Sequence, residues 1–591
     1  MAELTARLGR DVLPLLLLVA AIPAPANAVA PSQAEALLAW KASLQDDAAA
    51  LSEWTQAAPV CGWRDVGFDA AGRVVTLRLR GLGLGGGLDK LNFAAFPALT
   101  ELDLNGNNNL NGTIPASISR LSSLELLDLS SNGFNGSIPL EFGDLSGLVE
   151  LRLYNNNLAD AIPHQLSRLP KIVHFDLGSN YLTDPDYGKF SPMPTVTFMS
   201  LYHNPLNSSF PEFILKSGNI TYLDLSQNTL FGPLPDSLSE KLPNLRYLNL
   251  SANGFSGRIP PSFGKLTKFE DLQIAANKLV GGVPEFLGSM TQLRNLELGE
   301  NRLGGPIPPV LGWLQQLQRL DIKSAELVSS LRPELGNLIN LSFLDLSMNQ
   351  LCGSLPPEVA RMKAMREFSI SSNNLTGEIP PALFTSCPEL ISFQVQNNTI
   401  TGKIPPELAK ARKLNIMYLF GNNLTGSIPA ELGELENLER MDLSSNLLIG
   451  RIPNSIGNLK QLTRLKLFFN LLTGKIPPEI GNMTALQILD VNINRLEGEL
   501  PATISALRNL QFLDVFDNNM GGTIPPDLGN CLALQVVRFT NNSFSGELPR
   551  NLCDGFALKA LSVNHNKLTG QLPRLLVEPA VHGPIPQRLL R

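Results

Sequence analysis

The chain has 591 residues, too many for one ordinary hydrophobic core, so several domains or an array of repeats are expected. Aromatic residues are scarce at 6%, while 48 Gly and 44 Pro suit a chain with frequent, evenly spaced turns. A net charge of -6 is mild for this length and argues against nucleic acid or an anionic membrane surface as the main partner, since neither attracts an acidic protein without a local basic patch.

At the N-terminus, Arg7 and Arg10 precede the apolar run Val12 to Ala21, and Ala26-Asn27-Ala28 has the small-x-small form of a cleavage site. Residues 1–28 therefore read as a secretory signal; Pro14, Pro23 and Pro25 speak against the competing reading of a buried helix. No later stretch approaches the roughly 18–20 apolar residues of a membrane-spanning helix. Eleven N-x-S/T sequons fit the same route: Asn111, Asn135, Asn207, Asn219, Asn249, Asn340, Asn374, Asn397, Asn423, Asn482 and Asn541. Together with the signal they predict a glycoprotein of the secretory pathway.

From Val74 to about residue 573 the chain repeats itself. In "LSSLELLDLSSNGFNGSIP" the residues Leu124, Leu127, Leu129, Asn132, Phe134, Gly136, Ile138 and Pro139 recur as Leu438, Met441, Leu443, Asn446, Leu448, Gly450, Ile452 and Pro453. The pattern is LxxLxLxxNxLxGxIP, in 21 copies, with the marked asparagines 24 or 25 residues apart from Asn132 onward. The LxL core has period 2 and reads as a short strand with its leucines inward. One strand per repeat, always returning in the same direction, stacks into a parallel sheet at ~4.8 Å per repeat. The Asn can serve backbone groups where the chain leaves the strand, and stacked asparagines form an inner ladder. Gly tolerates a positive φ and Pro prevents a continuing helix, leaving about eight residues for a return path with a 3-10 turn. One repeat cannot fold alone, because backbone entropy exceeds what its few apolar side chains return; the interfaces between neighbours must supply stability. The fold class is an α/β solenoid of leucine-rich repeats.

The half-repeat "LTGSIPAELGEL" (Leu424 to Leu435), the stretch "EALLAWKASL" (Glu35 to Leu44), Trp54 and "CGWRDVGF" (Cys61 to Phe68) resemble the extracellular part of plant leucine-rich-repeat receptor-like kinases and receptor-like proteins. The resemblance covers about residues 33–573. It implies a right-handed, curved superhelix with a parallel inner sheet, 3-10 turns on the convex side and a second short sheet made by the L-x-G-x-I-P segments. The organisation it suggests is a signal at 1–28, an N-terminal cap at 29–73, the solenoid at 74–573 and an uncapped tail at 574–591. Two departures stand out. Phe68 occupies the place of the cap's usual second Cys, so Cys61 lacks that partner; Cys531 and Cys553 could pair, or stay buried free thiols. The family's receptors continue into a C-terminal cap, a membrane span and often a kinase, none of which appears before Arg591. A membrane link is thus expected only through a missing C-terminal span.

Solenoids bind on the concave face, where each strand offers outward positions in register. In "LTRLKLFFN" these are Thr463, Arg464, Lys466, Phe468 and Phe469. Neighbouring repeats add Tyr418, Phe420, Arg440, Asp442, Asn492, Ile493, Phe512, Phe516, Asp517 and Arg538. Most other repeats carry a small residue at the Phe468 position, for example Ser130, Ser226, Ser347 and Ser444. Rings flanked by cations suit an extended peptide with apolar side chains and a carboxylate end. Arg464-Leu465-Lys466 also resembles the R-x-R pair with which many peptide-hormone receptors of the family hold a peptide's terminal carboxylate, although Lys lacks the bidentate fork of Arg. The candidate ligand set is Arg464, Lys466, Phe468, Phe469, Tyr418, Phe420, Phe516 and Arg538; the competing reading is a solvated cation pair beside rings that cover a glycan or the next repeat. A second aromatic group, Tyr154, Phe198, Tyr202, His203 and Tyr222, borders the irregular "TDPDYGKFSPM" (Thr183 to Met193), a place for ligand contacts in receptors of this kind or simply drift; "KSAELVSSLRP" around Ala325 replaces the motif's Asn and Pro and reads as drift or a local kink.

The five histidines show no metal-ligand spacing, and the column Asp128, Asp176, Asp224, Asp321, Asp345, Asp442 follows from the repeat rather than from paired catalytic carboxylates. No enzyme, metal or cofactor is expected. The leading expectation is a plasma-membrane receptor ectodomain that binds a secreted peptide or protein and then a shorter leucine-rich-repeat co-receptor. A secreted inhibitor or decoy of the cell wall space is the alternative.

Overall fold

The computed structural model describes residues 32–45, 48–58, 62–555 and 557–571. The expected secretory signal at 1–28, Cys61 and the expected tail at 574–591 lie outside these described residues.

The chain opens with the helix Gln33–Lys41. Ser32 caps it: its hydroxyl accepts from the Glu35 N–H, and the Glu35 carboxylate accepts from the Ser32 N–H, so two otherwise orphaned donors are met. Trp54 stacks on Trp63 at 5.2 Å, and the strand Val66–Phe68 pairs antiparallel with Val74–Arg78 to start the main sheet. Phe68 packs half-buried against the core.

That sheet has 22 strands, of which only Val66–Phe68 is antiparallel; the others are parallel, one for each copy of the repeat. Pairing is in register, as in Arg440 with Arg464, Met441 with Leu465 and Asp442 with Lys466. Each repeat position therefore becomes a column running across the whole sheet. The inward leucines are sealed from water, as Leu462, Leu465 and Leu467 illustrate at 0% exposure. Return paths are mostly 3-10 turns such as Asn454–Asn458, as the short spacing requires.

The asparagine ladder holds successive coils together. Asn446 donates from Nδ2 to the carbonyls of Leu419, Leu443 and Ser444, while its Oδ1 accepts from the Leu424 N–H at 3.0 Å. One buried amide thus satisfies backbone groups on two consecutive coils. The residue just before the Asn takes a left-handed conformation in almost every repeat, including Phe469 (φ 53°) and Ile493 (φ 46°). The sequence reading missed this, because the position is not reserved for Gly.

The second sheet is not continuous. It forms separate pieces ending at Thr183, Val280 and Thr376 and resuming at Phe231, Cys352 and Ile449. The first two breaks coincide with the irregular repeats; the third spans intact motifs, and nothing in the structure explains it. In the Thr183–Met193 stretch, Tyr187 and Phe190 pack against Phe213 instead, with Phe190 and Phe213 ring centres 4.6 Å apart. Cys531 and Cys553 are buried free thiols rather than a disulfide.

Ala325 interrupts the ladder. Asn349 Oδ1 meets both the Ala325 and Leu327 N–H groups, but among the described residues no acceptor meets the N–H of buried Leu303, which an asparagine at 325 would reach. A cleft of about 550 Å³ opens there between Asn301 and Asn349. Ala325→Asn should therefore stabilise the chain by about 1 kcal/mol, the net worth of a restored buried hydrogen bond, read as a higher thermal midpoint. A lower midpoint would show that the ladder tolerates the gap by repacking.

Candidate functional site

Three outward columns line the concave face. In the strand Arg464–Lys466 they are occupied by Arg464, Lys466 and, just beyond the strand end, Phe468. Parallel registration sets the neighbours: Ile416, Arg440, Arg464 and Ile488 share the first column, and Tyr418, Asp442, Lys466, Asp490, Asp514 and Arg538 the second.

The second column is built by a backbone requirement. Its carboxylates accept the N–H two residues on, as Asp442 does from Ser444 and Asp514 from Phe516 at 3.0 Å, capping the strand exit. They are consequently buried; Asp514 has 1% side-chain exposure. Burial first, and then the Asp514 carboxylate beside it, push the Asp490 carboxyl up to about 7.

This column changes the part that Lys466 can play. Its ammonium lies 3.7 Å from Asp442, which offsets its charge within the sheet, and it stands in register with Asp490. The expected same-strand pair of Arg464 and Lys466 is therefore not a pair of free cations. Among the described residues no carboxylate lies within ion-pair distance of Arg440 or Arg464, which are adjacent on neighbouring strands. Two open guanidiniums stand side by side, bracketed by Ile416 and Ile488.

The remaining predicted residues divide. Tyr418 and Phe420 meet edge-on at 6.1 Å, and Phe468, two repeats on in the Phe420 column, is half-buried. Phe516 and Arg538 line a separate cleft of about 450 Å³ with Ile493 and Thr540, and Arg538 bonds Asp514 at 3.2 Å. Phe469 belongs to the turn that leaves the sheet and is 57% exposed; with exposed Leu447 and Ile449 it forms an apolar patch on the flank.

Of the second aromatic group, Phe198 and Tyr222 belong to a stacked column with His174 and Tyr247. The last two were missed, although their spacing of 24 and 25 residues from their neighbours was the signal that could have found them. His203 sits outside the column and bonds Gln227. Among the described residues no cluster of His, Cys, Asp and Glu is placed to hold a metal, and no helix is long and apolar enough to cross a membrane.

Ten of the eleven sequon asparagines are exposed. Asn249 differs: it is half-buried in the strand Tyr247–Asn249, its Oδ1 accepting from the Ser251 N–H at 3.0 Å.

Residues 30–67 match the leucine rich repeat N-terminal domain, and ten segments between 98 and 531 match the Leucine Rich Repeat. The crystal structure of the Arabidopsis receptor kinase HAESA, in complex with the peptide hormone IDA and the co-receptor SERK1, superposes with a TM-score of 0.83 at 30% identity, covering 92% of this chain and 91% of that one. Over 102 residues the chain is 36% identical to the leucine-rich repeat receptor-like serine/threonine-protein kinase RGI4 of Arabidopsis thaliana, which is 17% of this chain and 9% of the kinase. Over 121 residues it is 40% identical to polygalacturonase inhibitor 1 of Oryza sativa subsp. japonica, which is 20% of this chain and 36% of the inhibitor.

Two measurements check this geometry. Asp490 holds its proton more tightly when folded than in the unfolded chain, where an Asp titrates near ~4. Its contribution to stability therefore rises as pH falls from above the folded value toward ~4 and levels off below. Asp490→Asn should raise the thermal midpoint more at about pH 8 than at about pH 5; an equal effect at both would contradict the shift. Glycopeptide mass spectrometry of the secreted chain should find Asn249 unmodified while the exposed sequons carry glycan, and a fully occupied Asn249 would count against its place in the sheet.

Proposed function

Because the chain belongs to the plant extracellular leucine-rich-repeat receptor family, we propose that it is the ectodomain of a cell-surface receptor-like kinase or receptor-like protein, recognising a secreted peptide on its concave face. The coarser statement, a plant leucine-rich-repeat ligand-binding ectodomain, rests on the fold and on the match to HAESA across most of both chains.

The observation that carries the peptide reading is the open pair Arg440 and Arg464. Two arginines on adjacent strands, whose backbones lie ~4.8 Å apart in the sheet, offer several donors to one carboxylate. Ile416 and Ile488 on either side, with Tyr418, Phe420 and Phe468, favour apolar side chains next to that charge. An extended main chain crossing the strands meets these features in turn. Lys466 contributes less, since Asp442 and Asp490 already surround it.

HAESA was crystallised with a co-receptor, and by analogy a shorter leucine-rich-repeat partner would complete the signalling complex. The flank patch of Leu447, Ile449 and Phe469 is the surface we assign to it. The chain would then face the outside of the plasma membrane. The similarity to polygalacturonase inhibitor 1 favours one second reading, an inhibitor secreted to the cell wall space.

Screening a synthetic library of extended nonapeptides in free-carboxylate and amidated forms separates these readings. Binders should need the free carboxylate, and Arg440→Ala with Arg464→Ala should weaken them about 10- to 100-fold, equivalent to ~1.5–3 kcal/mol of charge-assisted bonding, while Lys466→Ala has a smaller effect. Equal loss in Lys466→Ala would restore the same-strand pair. Inhibition of a polygalacturonase by the chain, with no peptide bound, would favour the second reading.

A further inference from the structure

The N-terminal third of the concave face carries an aromatic column that the arginine pair does not use. His174, Phe198, Tyr222 and Tyr247 occupy the same position of four successive strands. Their rings stack at centroid spacings of 4.0, 4.2 and 4.0 Å with interplanar angles of 6, 10 and 4°. All four are half-buried, so the ladder presents its edges to the concave groove.

Charge in the ladder's own columns is one-sided; Arg246 and Lys268, beside it on the strand-entry side, are held by Glu270 and Asn244. Glu150 and Asp271 close the column at its two ends, and Asp176 and Asp224 lie in the adjacent column. Across the three outward columns from Glu150 to Gln273, Arg152 is the only Lys or Arg. It is already engaged by Glu150 and, at 3.6 Å, by Asp128. His174 adds no positive charge near neutrality, because burial holds it down at about 4.

We propose that this ladder is a second binding site, which takes a basic segment of an extended peptide: Arg or Lys stems lie along the ring edges and their head groups reach Glu150 and Asp271. Long basic side chains bury their methylenes on apolar surface while the charge stays polar-solvated, which is the pairing this surface offers. A sugar needs open ring faces, and here each inner ring has both faces covered by its neighbours. An acidic ligand would meet Glu150 and Asp271 with no free cation in the ladder's columns to receive it. Asn249, at the Tyr247 end, spends its amide on the sheet and the Tyr247 hydroxyl, leaving the groove unblocked.

The test uses the whole secreted chain and two fluorescent probes without a free terminal carboxylate: an acetylated, amidated peptide of alternating Arg and Leu, and its counterpart with Glu for Arg. The basic probe should bind at least about tenfold tighter, and either Tyr222→Ser with Tyr247→Ser or Glu150→Gln with Asp271→Asn should weaken it about tenfold. Arg440→Ala with Arg464→Ala should leave it unchanged, so this site and the arginine pair stand or fall separately. Equal affinity for both probes overturns the proposal, as does undiminished binding by the charge variant or loss of binding in the arginine variant. Should the Ser variant fail to be secreted, the charge variant, altered only at half-exposed positions, decides.

Discussion

A single amide contact recurs at the exit of each regular strand: an asparagine side chain reaches back to the preceding coil and closes the hydrogen bonds that the turning backbone leaves open. Asn446, Asn470 and Asn494 each do this with the same partners one repeat apart. Because these groups are buried, an unmet partner costs far more than a surface bond would. The ladder thereby fixes the stagger of one coil on the next. Register follows from that stagger, and everything on the concave face follows from register.

Columns are the unit of chemistry in such a molecule. A side chain's neighbours are the residues 24 or 25 positions away, so the character of a site is set by what successive repeats place at one position. The capping carboxylates show how a structural need shapes function. Asp442 and Asp490 are present because the strand exit wants an acceptor two residues back, and their presence draws the charge of Lys466 into the sheet. Arg440 and Arg464, one column over, face no such partner. The concave face is thus divided: an acidic, ring-lined stretch near Tyr222, a polar middle, and an open basic pair near Phe468.

The fold was legible because the LxxLxLxxN pattern states its own period, strand position and ladder. The sequon positions were legible too, except for Asn249, whose place inside a strand could have been read from its alignment with Asp224. The site was read along one strand, which put Arg464 and Phe468 in the candidate set but assigned Lys466 a freedom it lacks; reading down the column would have placed Asp442 and Asp490 beside it. The same habit grouped Tyr222 with His203, which is near in sequence, and missed Tyr247, which is stacked on it at 4.0 Å. Phe469 was counted with Phe468 as another non-core position of the repeat, but the chain has already turned left-handed there. Two of the three breaks in the second sheet fall at the irregular repeats, where the motif itself is missing.

The most direct measurement is mass spectrometry of what the secreted ectodomain captures from cell-wall fluid, compared with the Arg440→Glu, Arg464→Glu variant. The account predicts small peptides with free terminal carboxylates on the unaltered chain and their absence from the variant. Capture of the same peptides by both, or of a polygalacturonase alone, would contradict it.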